Sequence, residues 1–206
     1  MDKLIDFDVA DQGTDTIASA DEAGDGEALT LLETTPGDGF AHKVILTPSG
    51  SVSDSYTITG TDADGKAQTE TLATDTTNAV TSAKYYGTLT EILNCTAGSE
   101  TIDAGWTDDA MSQTYQLNRL SSGAATIVTV VTGTIDYDIQ MLIGVRVGTL
   151  AKPLQDGTWI PITAYDGKTA GVQNTAPVGA SAIRILSNSY TDTAEVQVYI
   201  SQPIVD

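Results

Sequence analysis

The sequence predicts an all-β protein: two small antiparallel β-sandwich or barrel-like domains behind an extended acidic N-terminal segment. Three observations predict it. Thr, Val, Ile and Tyr recur in short alternating runs. Gly, Asp, Asn and Pro interrupt those runs roughly every 8 to 15 residues, the spacing of a sandwich or barrel. No apolar stripe of period 3.6 and helical length lies between them, which argues against βαβ units.

Residues 1–35 read as an acidic arm or first strand. Residues 1–38 hold 11 acids against Lys3 alone. Segments such as Asp11-Gln12-Gly13 and Ala23-Gly24-Asp25-Gly26 are too polar to fold unaided. Leu4, Ile5, Phe7 and Val9 are the apolar exceptions, and are expected to be pinned against a neighbouring subunit or the protein's own sheet.

An N-terminal β-domain is expected over 36–110, with strands at 43–47, 55–60, 68–73, 84–93 and 100–106. Between the second and third stands Thr61-Asp62-Ala63-Asp64-Gly65-Lys66. An EF-hand loop would need a third oxygen ligand before the glycine and a later glutamate. The spacing stops after two acids, so Asp-Gly is read as a hairpin turn needing φ > 0. A helical turn is allowed near 108–113, and the domain boundary is placed near 108–114.

A C-terminal β-sandwich domain is expected over 114–206. Its clearest strand is 135–147, where Ile135, Tyr137, Ile139, Met141, Ile143, Val145 and Val147 alternate with Asp136, Asp138, Gln140, Leu142, Gly144 and Arg146. Residues 182–186 and 195–200 read the same way, with Glu195, Gln197 and Tyr199 at the wet positions. Trp106 and Trp159 are the large anchors; their spacing leaves core and interface roles open.

Charge narrows the function. The chain holds 28 acids and 9 bases, a formal net charge of -19. Phosphate backbones need Lys and Arg to displace their counterions, so no nucleic acid or anionic membrane partner is expected. The acidity is lopsided: residues 1–113 hold 21 acids and 4 lysines, net -17, whereas 114–206 hold 7 acids and 5 bases, net -2. Every arginine, Arg119, Arg146 and Arg184, lies in the second half. Arg is favoured at protein interfaces and an acidic surface avoids nonspecific contact. The halves are therefore expected to face different surroundings, with 114–206 toward a partner.

Catalytic chemistry finds no support. The single histidine, His42, is read as an exposed or rim-packed strand residue, and no nucleophile elbow accompanies it. Cys95, the single cysteine, cannot form an intramolecular disulfide, lacks a neighbouring cation, and reads as a core or strand-end residue. The pairs Asp21-Glu22 and Asp108-Asp109 sit in no context that would separate their proton affinities. No cofactor or metal is expected. The N-terminus lacks a basic, then apolar, leader, and no apolar run approaches membrane-spanning length. Synthesis and assembly in a cytoplasm are the corresponding expectation.

A resemblance sharpens this. Pro36-Gly37-Asp38-Gly39-Phe40-Ala41-His42-Lys43-Val44, then Ile58-Thr59-Gly60-Thr61-Asp62-Ala63-Asp64-Gly65-Lys66-Ala67-Gln68-Thr69-Glu70-Thr71, then Thr81-Ser82-Ala83-Lys84-Tyr85-Tyr86, closed by Gly105-Trp106, resembles a pattern of small structural proteins of tailed bacteriophages. The likeness covers about residues 36–107 and carries no catalytic residue. The strand at Ile135-Asp136-Tyr137-Asp138-Ile139-Gln140 and the closing Glu195-Val196-Gln197-Val198-Tyr199-Ile200 are more loosely similar to phage head-associated proteins. The resemblance implies a virion component. Capsid decoration or cement on the major capsid protein lattice comes first; a head–tail connector or tail component, or a glycan- or receptor-binding module on the virion surface, are the alternatives. A homo-oligomer, with a trimer favoured, is expected. Candidate partner-binding residues are Arg119, Arg146, Arg184, Trp159, Leu4, Ile5 and Phe7.

Overall fold

The computed structural model describes residues 2–8, 13, 15–50, 54–74, 78–96, 101–117, 124–143, 158–175, 180–191 and 194–202. They form β1 (Asp2–Asp8), β2 (Ala18–Glu22), β3 (Ala41–Pro48), β4 (Ser55–Thr61) and β5 (Ala67–Ala73). Then follow β6 (Val80–Tyr86), β7 (Thr88–Asn94), β8 (Thr101–Met111), β9 (Tyr115–Gln116) and β10 (Thr126–Thr132). The last are β11 (Ile135–Ile143), β12 (Thr158–Pro161), β13 (Gln173–Thr175), β14 (Ala182–Tyr190) and β15 (Glu195–Ser201). Every strand pairing described below is antiparallel, and a 3-10 turn at Thr163–Tyr165 is the one helical element among the described residues. The protein is all-β, as its alternating runs predict.

The chain divides into two compact units: residues 10–111, and residues 1–9 together with 112–206. The first unit, 10–111, places β3 between β6 and β8, with β2 also on β8, and builds a second sheet in the order β5-β4-β7. Its core joins Val44, Leu46, Ala104 and Trp106 from the first sheet to Tyr56, Ile58, Leu89 and Ile92 from the second. Ile17, Ala23 and Leu29 close over it from the segment around β2. Burying side chains of this size is the main stabilising term.

The β4–β5 hairpin turns at the Asp-Gly segment. Gly65 has φ 78, and Asp62 Oδ1 accepts the backbone N–H groups of Asp64 and Lys66, both at 2.9 Å. The aspartate is the turn's own hydrogen-bond acceptor.

Three expectations change here. The strand foreseen at 84–93 is two strands, because the chain leaves one sheet after Tyr86 and enters the other at Thr88. Gly87 makes this break: its N–H donates to Thr61 O at 2.9 Å, and a Cβ there would lie 3.1 Å from Asp62 O. Residues 108–111 are not a helical turn but the end of β8, held by pairing of Met111 with Ala41 and of Ala110 with His42. His42 is not exposed or rim-packed. It is fully buried, as described below.

In the second unit, β1 joins a four-stranded sheet, β1-β15-β10-β13, although it begins the chain. Its register is Leu4 opposite Tyr199, Ile5 opposite Val198 and Phe7 opposite Val196. The other sheet runs β12-β11-β14, with β9 also on β14. Ile135, Tyr137, Ile139 and Met141 are buried as their alternation predicts, but Leu142, placed by the same alternation on the wet face, is buried as well. Two tyrosine hydroxyls tie this sheet and the 3-10 turn to β10: Tyr137 to Thr129 Oγ1 at 2.6 Å and Tyr165 to Ile127 O at 2.6 Å. Burial pushes both phenols above their ordinary proton affinity, Tyr165 to about 12 even though the Asn174 backbone pulls it back.

Candidate interaction surface

The sheet register decides which residues can meet a partner. On β11 and β14, Gln140 stands opposite Arg184, and on β12 Trp159 stands opposite Leu142. These four share one face, since Gln140 and Leu142 are two residues apart on a strand. The Arg184 guanidinium donates to Gln140 Oε1 through Nε at 2.9 Å and Nη2 at 2.7 Å. It also stacks over the Trp159 ring, 4.5 Å from the centroid. A flat guanidinium on an indole face is a favourable electrostatic contact. Two fixed partners also hold the fork in one orientation. Trp159 is half-buried; Ile160, next in the chain but opposite Met141 on the other face of the sheet, is 39% exposed.

The second exposed surface is the outer face of the β1-β15-β10 ladder. Leu4, Tyr199 and Val128 lie in one row across three strands, and Asp6, Gln197 and Val130 form the next. Leu4, Tyr199 and Val130 are each more than two-fifths exposed. Along β15 the polar groups are chained: Tyr199 OH donates to Gln197 Oε1 at 3.0 Å, and Gln197 Nε2 to Glu195 Oε1 at 2.8 Å.

The sequence-predicted residues therefore separate. Arg184 and Trp159 come together on one sheet face. Leu4 is exposed on another. Ile5 and Phe7, 3% and 0% exposed, point the opposite way from Leu4 and belong to the unit's own core. Arg119 and Arg146 lie outside the described residues, as does the 144–147 end of the strand predicted over 135–147. Sequence reasoning did not single out Gln140, Val130 or Tyr199 as surface anchors. The signal for Tyr199 was its wet position in the 195–200 alternation. Trp106, by contrast, is wholly buried in the other unit.

His42 Nδ1 donates to Thr107 O at 2.7 Å, and its Nε2 is 2.8 Å from Asp38 Oδ2, so both ring nitrogens are occupied. Lys43 Nζ meets Asp109 Oδ2 at 2.5 Å and lies 5.0 Å from the Tyr85 ring centroid. Burial works against the Lys43 charge, but Asp109 and Tyr85 outweigh it and hold the ammonium above its ordinary value. Cys95 is exposed just past β7, the strand-end position, with Thr57 Oγ1 at 3.2 Å. Among the described residues, no three His, Cys, Asp or Glu side chains gather to hold a metal ion, and no helix is long and apolar enough to cross a membrane.

No family model matches the chain, and no curated protein matches it. Among solved structures, the major capsid protein P2 from bacteriophage PM2 is similar at 12% identity, over 99% of each chain, with a TM-score of 0.25. A TM-score that low does not establish a common fold, and no residue role is carried over from that protein.

Proposed function

We propose that this protein is a non-enzymatic structural component of a phage virion, a capsid decoration or cement protein that binds the major capsid protein lattice through the unit formed by residues 1–9 and 112–206. The observation that carries the reading is the uneven distribution of charge and surface anchors. The unit 10–111 holds 18 acids against 3 lysines, net -15; the other holds 10 acids against 6 bases, net -4, and includes every arginine. Burying the first against a protein shell would strand many carboxylates, at several kcal/mol per uncompensated ion. The second offers the Arg184–Trp159 stack and the row of Leu4, Tyr199 and Val128. Trp, Tyr and Arg are the residues that dominate binding energy at protein interfaces. The phage-like pattern over residues 36–107 supports the same reading from sequence.

The protein is then a homo-oligomer, with a trimer favoured, assembled in the host cytoplasm and resident on the particle. Its copy number in purified virions tests the reading. Abundance comparable to the major capsid protein is expected. A single ring's worth of copies would move the protein to the head–tail connector or tail, and absence from particles would end the proposal. Binding to host cell-wall glycans but not to bare capsids would favour a receptor-binding module instead.

A further inference from the structure

The outer face of the β1-β15-β10 ladder sets an apolar row between rows that carry aspartates, the row before it being Asp2, Ser201 and Thr126, and this pattern defines a partner. One row is apolar: Leu4, Tyr199 and Val128. The next, Asp6, Gln197 and Val130, is mixed, and the third, Asp8, Glu195 and Thr132, carries two carboxylates. Asp6 and Asp8 are exposed, and neither these two nor Glu195 has an ion pair among the described residues. The outward positions 2, 4, 6 and 8, 126, 128, 130 and 132, and 195, 197, 199 and 201 contain no lysine or arginine.

We propose that this face docks a protein segment presenting apolar side chains beside lysines or arginines, the apolar ones over Leu4 and Tyr199 and the cations over Asp6, Asp8 and Glu195. A second copy of the chain is a poor occupant, because stacking the face on itself sets carboxylates against carboxylates in a molecule already at -19. At ~4.8 Å between strands and ~6.8 Å between same-side rows, the three rows cover roughly 10 by 14 Å. That is a small part of the ~800 Å² per partner typical of a stable interface. A single engagement is therefore weak, and repetition across a lattice supplies the hold. The identity of the partner as a capsid protein rests on the virion reading above; the chemistry of the face does not.

The experiment titrates the full chain, uniformly 15N-labelled, with three synthetic nonapeptides: alternating Lys-Val, Lys-Ser and Glu-Val. Lys-Val should shift the amides of Leu4, Asp6, Val128, Val130, Gln197 and Tyr199, with weakening by salt. The double variant Tyr199→Ser, Val130→Ser should weaken it about tenfold or more. Asp6→Asn with Asp8→Asn should weaken it and flatten its salt dependence. Equal response to Lys-Ser at these amides, response to Glu-Val, or Lys-Val shifts confined to residues 10–111 would each overturn the proposal. So would salt-independent shifts around Tyr199 with a neutral oligosaccharide, which would make the face a sugar platform. The peptides are not virion components, so absence of the protein from particles would leave a positive titration standing. Conversely, undiminished occupancy of particles by the Tyr199→Ser, Val130→Ser chain would overturn the face and leave the virion reading intact.

Discussion

His42 Nε2 lies 2.8 Å from Asp38 Oδ2, and both side chains are withdrawn from solvent, 0% and 3% exposed. With Nδ1 on Thr107 O, the imidazole pins the loop before β3 to the far end of β8. Asp38 keeps a second tie, accepting the Phe40 N–H at 2.9 Å. His42→Ala removes the ring from both acceptors and leaves a buried carboxylate short of a partner. A loss of about 2–3 kcal/mol is expected, between the cost of one orphaned acceptor and that of a broken buried pair. Urea unfolding measures it, and a change under about 0.5 kcal/mol, the range of ordinary surface substitutions, would contradict the assignment.

The buried tyrosines make stability fall in alkali. Desolvation raises the Tyr165 phenol to about 12, and also raises Tyr137 and Tyr86. An unfolded tyrosine ionises near 10. Below that pH both states are protonated and the folded advantage is whole. Above it the unfolded chain loses protons that the folded chain keeps, so stability declines, for Tyr165 levelling near its folded value of about 12. Urea midpoints across this window should drop with pH, and Tyr165→Phe should shrink the drop while lowering stability at neutral pH by about 1 kcal/mol for the hydrogen bond to Ile127 O. A midpoint independent of pH up to the folded value would refute it.

Gly60 sits in the central strand β4, where the register with β7 shifts between Thr59 and Gly60. A Cβ there would stand 2.1 Å from the Thr88 carbonyl oxygen, a backbone atom that cannot swing away. Gly60→Ala should therefore cost about 2 kcal/mol or more, by forced displacement of a strand. Gly65→Ala has open space around its Cβ but a φ of 78. It should cost about 1 kcal/mol through backbone strain alone. Thermal melts of the two variants rank them; a more harmful Gly65→Ala would reverse the argument.

What was legible in the sequence was local. Asp62 and Gly65 announce their hairpin because the turn's hydrogen bonds lie within four residues. The face of β11 is readable because alternation alone decides which of Ile135, Asp136 and Tyr137 turns inward. What was not legible depended on distant partners. Nothing near Gly87 says that Tyr86 and Thr88 belong to different sheets. The burial of His42 follows from β8, more than sixty residues away. The two tryptophans look alike in sequence, each near a turn; one is enclosed between the sheets of its unit, and the other lies on a short strand beside an arginine from β14. Arg184 could be suspected from residue type, but its alignment with Gln140 comes from the ladder register.

The strand that starts the chain offers the sharpest test of that register. Leu4, Ile5 and Phe7 are similar in hydropathy and stand within four residues, yet Leu4 is 49% exposed while Ile5 and Phe7 are 3% and 0%. Pairing with β15 sets this alternation, since a slip of one residue would turn Ile5 and Phe7 to solvent and Leu4 and three aspartates into the core. Phe7→Ala should destabilise by about 3–5 kcal/mol and Ile5→Ala by about 2–5, the range for emptying a packed core position. Leu4→Ala should stay within about 0.5 kcal/mol, as surface changes do. Because β1 belongs to the same unit as β15, deleting residues 1–9 should also uncover an edge of β15 and unfold that unit at lower urea than the intact chain. Near-UV circular dichroism and urea unfolding of the three single variants and the deletion would show this order. Equal effects of Leu4→Ala and Phe7→Ala, or a deletion without consequence, would mean that β1 is not held in the sheet by this register.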